Sequence, residues 1–335
     1  MLTRIIGFAL GVAALIVGLL CFWPQLFGLQ RANPWAFAVA SRGAATAAAV
    51  LALLVIALLG ILGRRVRRML RPLGFWVLIF AIASGVIVIN RGWTNVTVAN
   101  PTAGQITVFS WNAMGAGAGA KAIADQALAV NADVVSLPET TASVGKEVAA
   151  LMGAAGHPMT MLSRAFDEDY KAHSTVLLIT TRLGAYQLDD SVGTTSTSPS
   201  IVAHPAQAGS PVIVAAHAIS PSPKGLGHWR DDLAWLAARC TQPNVIMAGD
   251  FNASIDNLSG LGPSALGNCG DAAVALGAGS IGTWPSNVPA LLGTQIDHVF
   301  YSAEWKATGI TINPAFIDKV SDHRPVVATL APVAN

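Results

Sequence analysis

Between residues 110 and 323 of this 335-residue chain lie six short polar motifs. They are Ser110-Trp111-Asn112, Leu137-Pro138-Glu139, His217, Gly249-Asp250-Phe251-Asn252, Gln295-Ile296-Asp297-His298 and Ser321-Asp322-His323. Each sets a carboxylate, amide or imidazole at one end of an apolar run of strand type. Gathered at one place, such groups suit cleavage of a phosphoester. Carboxylates hold a hard divalent cation or activate water, while amide and imidazole groups meet the charge that builds on phosphoryl oxygens.

Roles can be assigned residue by residue. Asp250 and Asn252 follow Val245-Ile246-Met247-Ala248 two positions apart, so both emerge on one side of the strand end. Asp250 would orient or deprotonate an attacking water, and Asn252 would donate to a phosphoryl oxygen; alone, the tetrapeptide also reads as an Asx turn. His323 would contact or protonate phosphoryl oxygen while Asp322 helps to hold the metal. Asp297 ends another apolar segment and would pair with His323, fixing its tautomer and raising its pKa. Glu139 is the leading metal ligand, its plainer role being an acid at the start of the next helix. Asn112 would orient Glu139 or reach the ion through water, and His217 would bind a phosphoryl oxygen as the counterpart of His323. His157, His173, His204 and His228 lack comparable settings and read as structural or surface residues.

These residues need strands to carry them. Runs rich in Val, Ile, Leu and Phe at 105–111, 134–137, 175–180, 211–217, 244–248, 296–301 and 325–330 predict strands buried on at least one face. Helical spacing covers 121–130, 141–152 and 227–240; in the last, Trp229, Leu233 and Leu236 share one face. Strand-led motifs with intervening helices predict central sheets with helices outside. The Thr- and Ser-rich 194–199 run reads as a surface loop.

The charges divide the chain in two. Residues 1–90 hold eight Arg, no Lys and no acid, a formal +8, whereas residues 91–335 hold eighteen Asp and Glu against twelve Lys and Arg, a formal −6. In the first part, uncharged apolar stretches at about 5–23, 44–62 and 73–89 are long enough to cross a hydrocarbon core of about 30 Å at about 1.5 Å per residue. Three spanning helices are therefore expected. A cleaved signal peptide is the alternative for the first stretch, but it is long and two more follow. Arg64, Arg65, Arg67, Arg68 and Arg71 crowd the short loop between the second and third spans, while the first loop has only Arg31 and Arg42. The Arg-rich side should face the cytoplasm, which delivers the polar region to the extracytoplasmic side of the cell membrane. The spans contain no Asp, Glu, Lys or His that would suggest transport, and read as an anchor.

Residues 91–102 read as a juxtamembrane linker, with Asn95, Asn100 and Pro101 ending the third span, and residues 103–335 as one domain of a size one core can fill. Cys21 lies in the first span, leaving Cys240 and Cys269 as the pair in the polar region. An oxidising exterior would let them bridge; two unrelated buried thiols are the alternative. Two cysteines without ligand spacing argue against structural zinc.

In order and context, Trp-Asn, Pro-Glu, the strand-end His, Gly-Asp-Phe-Asn, Ile-Asp-His and Ser-Asp-His-Arg-Pro resemble the endonuclease/exonuclease/phosphatase family over about residues 105–330. That resemblance implies a deoxyribonuclease I-like, four-layered α/β/β/α sandwich after the three transmembrane helices, and divalent-metal hydrolysis of a phosphoester by in-line attack of water. Carried over by motif, Asn112 and Glu139 resemble metal-site residues, Asp250 and Asn252 the water-activating and phosphate-orienting pair, and His217 a phosphate-contacting histidine. Asp297 resembles the acid that orients the final histidine, with Asp322 and His323 completing the site. Two departures stand out. Many relatives have Gln where this chain has Pro138, and Ala172 replaces the Glu that supports the strand-end histidine in the deoxyribonuclease branch, leaving Glu168 and Asp169 as nearby candidates.

The expected protein is a membrane-anchored phosphoesterase using Mg²⁺, with Mn²⁺ as the alternative ion, on a phosphodiester of nucleic acid or a phospholipid headgroup. No protein partner is inferred. The −6 charge and the lack of a basic run weaken the nuclease reading. A non-catalytic phosphoryl-binding or scaffold module on the same fold is the alternative, disfavoured because every matched acid and histidine is retained.

Overall fold

The computed structural model describes residues 2–97, 102–115, 117–167, 169–312 and 320–333. Asn100, Pro101 and Glu168 lie outside them. The chain begins with helices α1 (Leu2–Phe22), α2 (Trp35–Ala40), α3 (Arg42–Ile61) and α4 (Arg64–Arg91), of which α1, α3 and α4 are long and apolar enough to cross a membrane. Only a turn separates α3 from α4, so the Arg64–Arg71 cluster, expected in a loop, forms the first turns of α4.

Two six-stranded mixed sheets follow. In chain order the elements are β1 (Ile106–Ser110), α5 (Gly119–Ala129), β2 (Val134–Pro138), α6 (Ala142–Ala154), β3 (Met159–Ala165), β4 (Ser174–Thr180), β5 (Tyr186–Leu188), β6 (Ile201–Pro205), β7 (Val212–His217), α7 (Leu226–Arg239), β8 (Val245–Asp250), α8 (Ile255–Leu258), β9 (Gly270–Asp271), α9 (Ala272–Ala275), β10 (Asp297–Tyr301), β11 (Trp305–Ile312) and β12 (Val326–Pro332). One sheet has the order β11-β12-β1-β2-β4-β3, the other β5-β6-β7-β8-β10-β9. Their facing sides, with Val108, Leu177, Ile213, Ile246 and Val299, make the central core. A second core packs α5 and α6 on the first sheet through Ile123, Val148 and Phe109, and a third packs α7 on the other through Trp229, Leu233, Met247 and Phe300. This is the four-layered α/β sandwich expected from the resemblance.

All seven expected strands and all three expected domain helices are present. Strands β3, β5, β6, β9 and β11 were not anticipated. Every residue of β3 is half-buried at a sheet edge, and β5 and β9 are three and two residues long, so none shows the continuous apolar run of a central strand. The 194–199 segment is packed, not superficial: Thr195, Ser198 and Pro199 are buried, and the Ser196 amide donates to Asp232 at 2.7 Å. Cys240 and Cys269 form a disulfide with Cα atoms 5.5 Å apart, tying the end of α7 to the segment before β9.

Register explains how distant motifs meet. Strands β1 and β2 run parallel, as do β7 and β8, so the C-terminal ends of all four lie at one rim. Antiparallel strands reach that rim by their beginnings: Asp297 lies opposite Asp250, Val326 opposite Ser110 and Thr175 opposite Pro138. The loops leaving β1, β2, β7 and β8 therefore converge with those entering β10, β12 and β4.

Candidate active site

At this rim His217 is opposite Asp250 in the β7–β8 pair, and Asp250 is opposite Asp297 in the β8–β10 pair. One ligand atom each of Asp250, Asp297 and His323 lies within 4.8 Å of the others, all three residues being buried. Asp297 Oδ2 accepts from His323 Nδ1 at 2.8 Å, which leaves Nε2 3.9 Å from both Asp250 Oδ2 and Asp322 Oδ1. Asn112 Nδ2 donates to Asp250 Oδ2 at 3.0 Å and to Glu139 Oε1 at 3.1 Å, joining the first sheet's acid to the second's.

The electrostatics follow from burial and proximity. Burial, then the neighbouring Asp297 charge, pushes the Asp250 carboxyl up to about 7. Burial alone would lower His323, but Asp297 and Asp250 outweigh it and hold the imidazole up at about 10. Burial, followed by His323 and His173, depresses His217 to about 3. One rim therefore carries a charged and a neutral imidazole around a carboxyl poised near neutrality.

Local backbone serves these positions. Glu139 and Asn252 adopt φ of 55° and 47°, the left-handed region that side chains seldom occupy and that clusters at functional sites. Asn252 Nδ2 donates to Ala218 O at 3.0 Å and Asp250 Oδ2 at 3.2 Å, and its amide N donates to Asp250 Oδ1 at 2.8 Å. The side chain expected to meet phosphate thus also braces Asp250. Asn112 Oδ1 accepts from the Met114 amide at 3.0 Å, so its oxygen is engaged and its amide nitrogen orients Glu139.

Several positioning residues escaped sequence reasoning. Thr175 Oγ1 lies 3.1 Å from His217 Nδ1 and is the described side-chain partner of that ring; of the two expected candidates, Glu168 lies outside the described residues. Ser200 Oγ accepts from the His217 amide at 2.9 Å. Ser321 Oγ donates to Asn112 O at 2.7 Å and accepts from the His323 amide at 3.0 Å, while Trp111 Nε1 donates to His323 O at 3.0 Å. Arg324 is buried and donates to the carbonyls of Gly282, Pro285, Ser286 and Val288, shaping the loop that carries Trp284. Trp284 Nε1 in turn donates to Asp322 Oδ2 at 2.8 Å. His298, beside Asp297, is structural: Nδ1 meets Asp271 at 2.7 Å and Nε2 meets Ala253 O at 2.9 Å. The Arg-Pro after Ser-Asp-His was the one visible hint, pointing at position 324; single Thr and Ser residues carried none.

Among the described residues the triad is the group whose ligand atoms lie close enough together to hold a metal ion, but those atoms are already engaged. In the triad Asp250 already accepts three hydrogen bonds and His323 is held protonated by Asp297. Glu139 is half-buried and accepts only through Oε1 among the described residues, while Asp322 is 47% exposed in its side chain. Each therefore keeps one carboxylate oxygen, Oε2 of Glu139 and Oδ1 of Asp322, of the type a hard cation takes.

Comparison with known proteins places the same region. The family model described as Endonuclease/Exonuclease/phosphatase family matches residues 109–323. Among solved structures, D. rerio TDP2 humanized by 14 mutations has a TM-score of 0.53 and 17% identity, covering 68% of this chain and 99% of that one. D. rerio TDP2 complexed with single strand DNA product has a TM-score of 0.52 and 18% identity, covering 68% and 98%. At such identities the likeness is one of fold. No curated protein matches the chain.

Proposed function

Because the chain belongs to the endonuclease/exonuclease/phosphatase family, we propose that it is a membrane-anchored, divalent-metal-dependent phosphoesterase that hydrolyses a phosphodiester by in-line attack of water. The observation that carries this reading is the hydrogen-bonded chain Glu139–Asn112–Asp250 beside the buried Asp297–His323 pair, five residues brought from five separate strand ends. Asp250, with its carboxyl near neutrality, takes the proton of the attacking water. His323, cationic and aligned by Asp297, donates Nε2–H to a phosphoryl oxygen as charge builds there. His217 stays neutral, and a Thr175 hydroxyl donating to Nδ1 leaves the ring proton on Nε2 for a second phosphoryl oxygen. Asn252 holds Asp250 in place; its donation to a phosphoryl oxygen would need one Nδ2 hydrogen to leave Ala218 O or Asp250 Oδ2.

Glu139 and Asp322 would hold the metal, with Asn112 orienting Glu139. When bound, the divalent ion polarises the phosphoryl oxygen and offsets transition-state charge; Mg²⁺ is the ion we assign, with Mn²⁺ as its substitute. The +8 of residues 1–90, concentrated in five arginines at the α3–α4 turn, supports an extracytoplasmic catalytic domain, and the Cys240–Cys269 disulfide agrees with an oxidising compartment. Residues 103–335 would form the catalytic part, behind the N-terminal helices, the last of which runs to Arg91, and the segment that follows it.

The test is hydrolysis of bis(p-nitrophenyl) phosphate by the full chain in detergent, with Mg²⁺, Mn²⁺ or chelator, beside Asp250→Ala and His323→Ala. Metal-dependent turnover lost in both variants is expected. Folded protein that binds metal yet turns over nothing would be a binding module, and the proposal would fall.

A further inference from the structure

The α2 helix does not join the spanning bundle alone; it lies on the catalytic domain. Ala36 is buried in the core beneath α7, and Asn257 Nδ2 donates to Gln30 O at 2.8 Å and Ala36 O at 3.0 Å. Arg31 Nη1 reaches Asn257 O and Ser259 O at 2.7 and 2.8 Å. Beside this seam Asp256, almost fully buried, accepts two hydrogen bonds from Arg42 at the start of α3 and two from Arg91 at the end of α4. The anchor and the domain are thus locked in one orientation.

That orientation opens a cleft of ≈ 190 Å³ between α2 and the active-site rim. Phe37 and Ala40 form one wall, with Pro221, Trp284, Ile296 and Asn252 opposite. Two of these residues belong to the site itself: Asn252 bonds Asp250, and Trp284 bonds Asp322. Pockets that enclose whole ligands measure about 300–1,000 Å³, so this cleft has room for part of such a ligand.

Large apolar side chains are exposed at this end of the helices. Leu26 and Phe27 follow α1, Trp93 follows α4, and Leu291 and Leu292 sit against the start of α3; all are more than 40% exposed, as are Phe37 and Trp284. These residues gather where the three spans end, and aromatic and aliphatic side chains at span ends lie at the level of lipid headgroups. The domain has no basic run for a polynucleotide. Resting on the phosphoesterase reading above, we propose that the α2 cleft is a substrate subsite, built jointly by anchor and catalytic domain, that takes the apolar portion of a phosphoester resident in the bilayer.

The experiment uses the full chain reconstituted in vesicles of phosphatidylcholine and phosphatidylglycerol, with lipid hydrolysis followed beside that of water-soluble bis(p-nitrophenyl) phosphate. Phe37→Asp places a charge in the cleft at an exposed position, and Ala40→Phe fills it. Both should lower kcat/KM for phospholipid at least tenfold and leave bis(p-nitrophenyl) phosphate within twofold. Equal loss on both substrates in both variants, no loss on either, or turnover of bis(p-nitrophenyl) phosphate without phospholipid by the unaltered protein would overturn the subsite. Failure of the unaltered protein on bis(p-nitrophenyl) phosphate is distinct: it removes the phosphoesterase reading, and the subsite with it.

Discussion

The Asp256 carboxylate takes the Arg42 guanidinium in a bidentate pair, 3.0 Å from Nε and 2.8 Å from Nη2. Arg91 takes the same carboxylate at 2.7 and 2.9 Å. A single acid on the short α8 helix therefore receives the ends of two helices long and apolar enough to cross a membrane. Burial favours its neutral form, but the hydrogen bonds from Arg91 and Arg42 prevail and hold its pKa below the usual carboxylate range.

Removing that acid should detach the anchor from the domain. Asp256→Ala leaves two buried or half-buried guanidinium groups without their counter-ion, a loss of about 3–5 kcal/mol by analogy with other broken buried pairs. Limited proteolysis of the chain in nanodiscs should show faster cutting between α1 and α3 in the variant. Unchanged digestion and unchanged thermal unfolding would mean that the remaining contacts of Asn257 and Arg31 suffice.

The Asp297–His323 pair should matter for rate more than for binding. Asp297→Asn keeps the shape but removes the charge that holds His323 protonated and aligned, so kcat should fall by about 10²–10⁴-fold, the range of general acid–base contributions, with little change in KM. The pH profile supplies the second readout: the fraction of active enzyme should shift to lower pH in the variant, because a histidine without its acid loses its proton earlier as pH rises. A kcat within threefold of the unaltered enzyme would exclude this role.

His217 and Thr175 make a prediction about stability. The folded pKa of His217 is near 3 and the unfolded value about 6.5, so the unfolded chain binds the extra proton first as pH falls. Its contribution is fully present above about pH 6.5 and declines progressively between there and pH 3, by on the order of 4 kcal/mol at the acid end. Urea unfolding at pH 7.5 and pH 5 should show this loss, and His217→Gln should flatten it. Thr175→Val, by stranding Nδ1, should lower kcat about tenfold at neutral pH, a hydrogen bond's worth, and Thr175→Ser should restore it. A Val variant as active as the Ser variant would show that the hydroxyl is not the group that orients the ring.

What the sequence determined was local. Apolar runs ending in Asn112, Glu139, His217 and Asp250 gave strands because a run buried on both faces needs no alternation to be read, and the helices declared themselves by their spacing. The charge split marked off the long apolar helices α1, α3 and α4, because uncharged runs of that length stand out against the charged residues 91–335. Tertiary structure decided everything that depends on register. Thr175 meets His217 only because β4 enters the rim where β2 leaves it, and Asp297 lies opposite Asp250 only through antiparallel pairing of β8 with β10. The half-buried edge strand β3 and the short β5 stayed illegible, since partial burial leaves no strong pattern. Least legible of all was the seam at Asp256: a lone acid in Ser254-Ile255-Asp256-Asn257 carries no sign that its partners are Arg42 and Arg91, because contacts across more than 160 residues are set by packing and not by local spacing.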